Sequence, residues 1–395
     1  MTEPAPRIVV SALGVTQILA WGSSYYLPAV LAQPIADDTG WPLPWIVGGL
    51  SLGLLIAGFI SPSVGRQIHA RGGRPVLAAS AILLACGQFG IAAASTLPLF
   101  IMAWAIIGLG MGAGLYDASF STLGRLYGHA AHRRIAALTL FGGLASTACW
   151  PLSALMVSEF GWRGACMAYA LIQLGICLPI YLLALPRETR GAPESSADAT
   201  SPQPAAAPHP SSAVFLLLAA TITIGSIIST VISVHLLTIL QSRGIALAAA
   251  VALGAFVGPS QVGARFIEML IGRYHHPIWT LLASAILVAL GLGLLWLNFP
   301  ILLPALIFYG AGIGIESIAR ATLPLTLFGP EDYAPIMGRL ARPSLIAQAA
   351  APSAAALLIQ ALGIERMLVV VVGVAVFNAI LALLLLPFVH RPRQA

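Results

Sequence analysis

Twelve apolar runs dominate the sequence, and each is close to the roughly 20 residues that a helix needs to cross a bilayer. Only 8% of the residues are charged, whereas a protein that folds in water carries about 25%. We therefore predict an all-α membrane protein with twelve transmembrane helices. The runs are approximately 8–31, 45–64, 75–94, 97–123, 135–157, 163–185, 212–240, 246–271, 277–297, 302–327, 340–362 and 367–388.

One long polar stretch, residues 186–211, interrupts these runs. Its proline, serine, alanine and acidic residues cannot bury enough apolar surface to offset the entropy lost on ordering, so we predict a flexible linker. The linker separates an N-terminal bundle, residues 1–185, from a C-terminal bundle, residues 212–395. Each bundle contains six of the twelve runs.

The two halves share short sequence matches at an offset of about 202 to 204 residues. The sequence ASAIL occurs at Ala79–Leu83 and again at Ala283–Leu287, and a GxGxG pattern occurs at Gly108–Gly112 and at Gly310–Gly314. These matches predict two pseudo-symmetric six-helix bundles. In transporters built from such repeats, the binding site lies at the repeat interface near the bilayer midplane.

The positive charges indicate an orientation. All 19 basic residues are arginines, and with the N-terminus inside the cell thirteen of them fall on the cytoplasmic side and three on the other. We therefore predict a multi-pass protein of a bacterial-type inner (plasma) membrane, with both termini and the linker in the cytoplasm. The net charge of +6 then reflects orientation, and no nucleic-acid partner is expected.

Signals for an enzyme or a metal site are weak. The apolar runs contain no H-E-x-x-H motif, which argues against a membrane-embedded enzyme of that type. The pairs His129/His132 and His275/His276 have metal-like spacing, but they lie in short loops beside arginines. We predict neither a metal site nor a cofactor.

The loop between the second and third runs, Gly65 to Pro75, carries a recognisable pattern. It reads GRQIHARGGRP and resembles the signature G-x-x-x-D-R-x-G-R-R of the major facilitator superfamily of secondary transporters. The resemblance implies gating roles for Gly65, His69, Gly72 and Arg74. Because His69 stands where the family has an acid, the family's gating salt bridge is expected to be absent or pH dependent.

Other positions indicate which members of the superfamily the sequence resembles most. Trp104 occupies the position of a family arginine in the fourth helix, so a proton-coupling role for that arginine does not carry over. The fifth helix lacks the G-P-x-x-G-G pattern of drug/proton antiporters, which weakens an exporter interpretation. The arginine on helix 8 is similar to that of monocarboxylate and oxalate/formate carriers.

Charged residues inside the helices are the main candidates for function, because an ionisable group at membrane depth costs several kcal/mol. Arg265 and Glu268 are spaced i,i+3, and Glu316 and Arg320 are spaced i,i+4. These pairs could simply neutralise each other. Alternatively, Arg265 or Arg320 binds an anionic group, since guanidinium offers a fork of donors that matches a carboxylate.

Two acids are assigned gating roles. Glu268 lies near the cytoplasmic interface and is predicted to be a gate partner. By the repeat offset, Asp117 falls beside the position of Arg320, which predicts a salt bridge between the halves. Glu316 is assigned to the substrate site with the two arginines.

Polar residues on helices 1, 7 and 8 complete the predicted site. Serine on a helix can also bond its own backbone, and a single helix histidine is more often a structural donor than a proton carrier. The interpretation as ligand contacts follows from the resemblance, because helices 1 and 7 of the superfamily line the cavity. The residues are Tyr25, Tyr26, Ser229, His235 and Gln261.

We therefore predict a monomeric secondary active transporter that moves a small anionic organic solute, with a carboxylate as the leading candidate, by alternating access. Protons are a candidate coupling ion, and the lipid bilayer is the remaining partner. A multidrug or metabolite efflux transporter is the alternative within the same class. A non-transporting membrane sensor or scaffold is the alternative from another class.

Overall fold

All regular structure in the described residues, 6–187, 212–297 and 301–389 of the computed structural model, is helical. The first half contains α1 (Pro6–Gly22), α2 (Pro28–Thr39), α3 (Leu43–Arg71), α4 (Gly73–Ala93), α5 (Leu97–Gly114), α6 (Tyr116–Tyr127), α7 (Ala131–Gly143), α8 (Ala145–Ile172) and α9 (Leu178–Ala184). The second half contains α10 (Ser212–Gln241), α11 (Leu247–Gly254), α12 (Val257–Ile271), α13 (Pro277–Trp296), α14 (Leu302–Phe328), α15 (Tyr333–Leu362), α16 (Ile364–Leu384) and α17 (Leu386–Val389).

The helices account for twelve membrane crossings. Nine continuous helical stretches in the described residues are long and apolar enough to span a bilayer. One of them, Leu97–Ala184, is 88 residues long and contains turns at Gly128 and Gly161, so it holds three crossings. The first crossing is divided between α1 and α2, each of which is too short by itself. The chain therefore has the all-helical, twelve-crossing architecture that the sequence predicted.

Glycines with positive φ form the turns between consecutive crossings, because a side chain is strained in this region of backbone space. Three of these turns recur in the second half at offsets of 201 to 204 residues, which supports the predicted repeat. The division at residues 186–211 stays a prediction, since 188–211 lie outside the described residues. The turn glycines are Gly40, Gly72, Gly128, Gly161, Gly244, Gly329 and Gly363.

Small residues allow close helix packing in both halves, as is usual where lipid removes the hydrophobic driving force between helices. In the first half, a Cβ at Gly110 of α5 would lie 2.8 Å from Leu84 of α4. In the second half, a Cβ at Gly312 of α14 would lie 2.7 Å from Val288 of α13. The GxGxG pattern noted in the sequence thus serves the same packing role in each half.

The two halves meet at the face that carries residues 71–74 and 133–134, which we call the arginine-rich face. There α3 of the first half crosses α15 of the second half. A Cβ at Gly65 would collide with the carbonyl oxygen of Ala334, and one at Gly338 would collide with that of Ser61. Backbone thus contacts backbone at this crossing, and the halves are closed against each other at the arginine-rich face.

The fourth crossing is interrupted in mid-membrane. Leu115, with φ −76° and ψ −166°, ends α5 and begins α6. Such a break frees carbonyl groups that need other donors in a bilayer. Gln17 of α1 donates to the carbonyl oxygen of Gly114 at 2.7 Å, and Ser80 of α4 donates to that of Gly110 at 2.9 Å. The break places Asp117 in the first turn of α6, where the helix dipole favours a negative charge.

The first half carries an ionic contact at the face opposite the arginine-rich face. Asp38, at the end of α2, accepts a hydrogen bond from the Trp162 indole at 2.9 Å and pairs with Arg163 at 2.6 Å. These two donors, the indole first, hold the pKa of Asp38 below its usual value. Both charged side chains are about half exposed, at 52% and 45%.

This contact predicts a pH-dependent stability. Because the pKa of Asp38 is lower in the folded protein than in the unfolded chain, its ionised form stabilises the fold at pH values above the unfolded pKa of about 3.9. This stabilisation is lost as the pH falls through the pKa of Asp38 in the folded protein. Asp38→Asn should therefore lower the melting temperature at pH 7, and the difference from wild type should shrink on acidification. The control is Asp37→Asn, because Asp37 pairs with the neutral Gln33. Equal losses in both variants would contradict the assignment.

Candidate functional site

Arg265 on α12 is the most deeply buried charge at the junction of the halves, with 6% of the residue exposed. Its guanidinium donates three hydrogen bonds. The acceptors are the carbonyl oxygen of Gly314 at 3.1 Å, that of Thr139 at 3.0 Å and the Gln261 side chain at 3.4 Å. All three acceptors are neutral, and the bond to Thr139 crosses from one half to the other.

A Gly-Gly pair at the end of α7 makes room for this contact. A Cβ at Gly143 would lie 2.5 Å from the nearest guanidinium nitrogen of Arg265. A Cβ at Gly142 would collide with the hydroxyl of Tyr116. Tyr116 also donates to the carbonyl oxygen of Thr139, at 3.3 Å. Arg265 and Tyr116 therefore converge on the same carbonyl because two consecutive residues have no side chain.

Glu268 does not neutralise Arg265. It lies one turn further along α12, and its carboxylate accepts a hydrogen bond from Thr280 at 2.6 Å and lies 3.7 Å from His275. Both partners belong to the second half, near the arginine-rich face. Within the described residues, Arg265 has no carboxylate at salt-bridge distance. The interpretation of Arg265 and Glu268 as an intrahelical ion pair is therefore wrong for this structure.

Arg320 on α14 forms the salt bridge between the halves that the repeat offset predicted. It donates to both carboxylate oxygens of Asp117 at 2.8 Å. The two side chains are 20% and 18% exposed. They are 203 residues apart, so the bridge joins equivalent positions of the two repeats. Arg320 therefore pairs across the junction with Asp117 instead of with Glu316 on its own helix.

Glu316 lies one turn before Arg320 on α14 and is partly exposed. A Cβ at Gly225 of α10 would collide with the Glu316 carboxylate, so this glycine provides the space for it. Within the described part of the chain, Glu316 takes part in no hydrogen bond or salt bridge. The second half thus presents one carboxylate that is near an arginine but not bonded to it.

Aromatic side chains of the first half line the site opposite Arg265. Tyr26 and Tyr116 are close enough to Arg265 to interact with its charge. Neighbouring ring centroids in this cluster are 5.1 to 6.2 Å apart. We call this cluster the aromatic wall, and its members are Trp21, Tyr25, Tyr26, Tyr116 and Trp150.

A groove of about 460 Å³ continues from the aromatic wall between α2 and α8. Val30, Thr147 and Trp150 are among its lining residues. Both helices belong to the part of the first half that faces away from the arginine-rich face. The groove and the aromatic wall share Trp150 and lie away from the crossing of α3 and α15, at which the arginine-rich face is closed.

The polar residues predicted on helix 7, which is α10 in the structure, make two kinds of contact. The carbonyl oxygen of Ser229 accepts a hydrogen bond from Tyr309 at 3.4 Å. His235 contacts the carbonyl oxygen of Pro352 at 3.3 Å and so connects α10 to α15 within the second half. Tyr25 of the aromatic wall lies beside Thr230 across the junction. Tyr25 and Thr230 are thus at the junction, whereas Ser229 and His235 make their contacts inside the second half.

The predicted gating residues lie at the arginine-rich face. Gly65 is at the α3–α15 crossing, and Gly72 forms the next turn with φ +82°. His69 is exposed at the end of α3, and its carbonyl oxygen accepts a hydrogen bond from Arg125. Arg74 is partly exposed at the start of α4. The loop therefore contributes close backbone packing at Gly65 and exposed charge around it.

One histidine of this face makes a further contact between the halves. His132 lies 2.8 Å from the hydroxyl of Thr326. Burial, and the nearby His276 and His129, lower the pKa of His132. No group of three or more possible metal ligands occurs in the described ranges. Of these histidines, His132 bonds the other half, whereas His275 and His276 make their bonds within the second half.

Sequence reasoning missed several residues of this site. Thr139, Tyr116 and the pair Gly142–Gly143 were not assigned any role, although they surround Arg265. Two consecutive glycines inside an apolar run were the available signal, because glycine is unfavourable in a helix interior unless a close approach requires it. What approaches the glycines cannot be read from the run itself.

Comparisons with known proteins identify the family of the chain and proteins with a similar fold. Residues 13–341 match the family described as Major Facilitator Superfamily. The human organic anion transporter MFSD10 (TETRAN) superimposes with a TM-score of 0.76 at 16% identity, covering 96% of this chain and 100% of the other. The proton:xylose symporter XylE gives 0.73 at 12% identity, covering 95% and 94%. FucP in the outward conformation gives 0.73 at 15%, covering 95% and 98%. No match is found among curated protein sequences.

Proposed function

Because the chain belongs to the Major Facilitator Superfamily, it is a membrane transporter and not an enzyme, and we propose that it moves a small anionic organic solute. Arg265 and Gln261 bind the anionic group, and the aromatic wall contacts the apolar part of the solute. A carboxylate is the first candidate, as for the monocarboxylate and oxalate/formate carriers that the sequence resembles. Ser229 on α10 is a further candidate contact.

The observation that carries this proposal is the uncompensated charge of Arg265. Its three acceptors are neutral, and Glu268 is bonded elsewhere. A buried cation without a counter-ion is costly, and an anionic ligand removes that cost while gaining charge-assisted hydrogen bonds. A human organic anion transporter shares this fold, which agrees with the assignment, although a likeness at 16% identity supports the fold alone.

Alternating access is the proposed mechanism. Backbone of the two halves is in contact at the arginine-rich face, at Gly65 and Gly338, and the Asp117–Arg320 salt bridge and the Arg265–Thr139 hydrogen bond join the halves further from that face. The groove beside the aromatic wall lies towards the other face. If the arginine-rich face is cytoplasmic, as the charge asymmetry favours, this is an outward-facing state. Both halves that move in this mechanism belong to the same chain, so the proposed mechanism requires no more than a monomer.

The decisive experiment is uptake into proteoliposomes. A panel of labelled monocarboxylates and dicarboxylates should include at least one that the protein accumulates, with neutral sugars as the comparison class. Imposing a pH gradient tests whether protons are coupled. Uptake of neutral sugars without any carboxylate would contradict the anionic assignment.

An efflux transporter for a metabolite or drug is the second candidate, and the aromatic wall favours it. Aromatic rings bind apolar and cationic ligands as readily as they flank an anion. Inside-out vesicles distinguish the two directions: an exporter concentrates the labelled solute in them, and an importer does not.

The orientation is tested by cysteine labelling in intact cells. Asp37→Cys should react with a membrane-impermeant maleimide from outside, whereas Ser195→Cys should be protected until the membrane is permeabilised. The unmodified protein, with Cys86, Cys149, Cys166 and Cys177 in helices, provides the background signal. The reverse pattern would place the arginine-rich face and the linker outside.

A further inference from the structure

The salt bridge between Asp117 and Arg320 has to break whenever the arginine-rich face opens. Asp117 belongs to the first half and Arg320 to the second, and they are in direct contact in the closed arrangement that the structure shows. Both side chains are largely buried in helices that cross the membrane. An arginine left without an acceptor at this depth is strongly unfavourable, so the open state requires a replacement.

Glu316 is placed to be that replacement. It precedes Arg320 by one turn of α14, and side chains four residues apart lie on the same helix face. It moves with Arg320 because both belong to the same helix. In the closed state its carboxylate has no bonded partner within the described residues, and Gly225 of α10 provides the space that it occupies.

We propose that Arg320 exchanges acceptors during transport, from Asp117 when the arginine-rich face is closed to Glu316 when it is open. Glu316 is then a positioning residue for the open state, and Asp117 for the closed state. The exchange keeps the arginine paired in both states, so neither state has to bear an isolated charge. The inference rests on the proposed alternating access, but not on the anionic nature of the solute.

Distances across the arginine-rich face report the two states without any substrate. Nitroxide labels at Arg133→Cys and Glu331→Cys, both exposed on this face, can be measured by pulsed electron resonance in nanodiscs, with Cys86→Ser as background. Asp117→Asn should increase the fraction of long distances. Glu316→Gln should decrease it, both alone and on the Asp117→Asn background. On that background we expect the open-to-closed ratio to fall by about tenfold, the effect of losing one charge-assisted hydrogen bond.

Two further variants separate this exchange from general destabilisation. Gly225→Ala crowds the Glu316 carboxylate in the position that it occupies in the closed state, and should therefore increase the fraction of long distances. Gly373→Ala on α16 is the matched control, because a Cβ there has no atom within 4 Å. Glu316→Asp should give an intermediate ratio, since it keeps the charge on a shorter side chain.

The outcomes are distinct. An unchanged or increased open fraction in Glu316→Gln, with Asp117→Asn opening the face as expected, overturns the exchange and leaves alternating access intact. Closed distances in every variant contradict alternating access and the exchange together. If the distances change as expected but no carboxylate is taken up, the substrate assignment is wrong and the exchange stands.

Discussion

Arg265→Gln should weaken carboxylate binding by about tenfold or more, because each charge-assisted hydrogen bond to an ionised ligand contributes roughly 1.5 to 3 kcal/mol. Arg265→Lys should recover only part of the affinity. Lysine keeps the charge but cannot present two parallel donors to one carboxylate. The measurement is the affinity of the purified protein for the carboxylate identified by uptake, by calorimetry or by ligand-induced thermal stabilisation.

Glu268→Gln is the control for this prediction. Because Glu268 bonds Thr280 and lies near His275, its loss should reduce stability near the arginine-rich face without restoring function to an Arg265 variant. The double variant Arg265→Gln with Glu268→Gln should bind the carboxylate as weakly as Arg265→Gln alone. If the double variant instead regains transport that each single change abolishes, Arg265 serves to neutralise Glu268 and the binding role is wrong.

Gly65→Ala should prevent full closure of the arginine-rich face. The added Cβ would collide with the carbonyl oxygen of Ala334, which is backbone and cannot rotate away as a side chain could. We expect transport to fall by about tenfold or more, the consequence of roughly 1.4 kcal/mol of destabilisation of the closed state. The open fraction, measured with the same pair of labels at Arg133 and Glu331, should rise.

Gly48→Ala is the matched control on the same helix, since a Cβ at Gly48 has no atom within 4 Å. It introduces the same side chain into α3 without touching the other half. Normal transport in Gly48→Ala with loss in Gly65→Ala would assign the effect to the crossing with α15. Equal losses in both variants would show that α3 does not tolerate alanine in general, and would remove the argument for closure.

The sequence determined most of the architecture, because a bilayer leaves few alternatives. Apolar runs of about 20 residues can only be helices in lipid, where every backbone polar group has to be bonded within the segment. The number of helices followed from the apolar runs, and the Asp117–Arg320 pairing followed from the repeat offset. Arg265 also stood out from the sequence, since an arginine inside an apolar run is rare enough to require a reason.

Tertiary structure decided which of the available partners each charge bonds. Sequence spacing placed Glu268 beside Arg265 and Glu316 beside Arg320, and both neighbours were available on the same helix face. The structure instead bonds Arg265 to carbonyl groups and Arg320 to Asp117 of the other half. Spacing along one helix determines which residues lie near an arginine on that helix. Which acceptor the arginine bonds depends on the helices that pack against it. At Gly142, Gly143 and Gly225 the missing side chain leaves room for Tyr116, Arg265 and Glu316, respectively. The sequence shows that these positions are glycines, but only the tertiary structure shows which side chain occupies the space beside each.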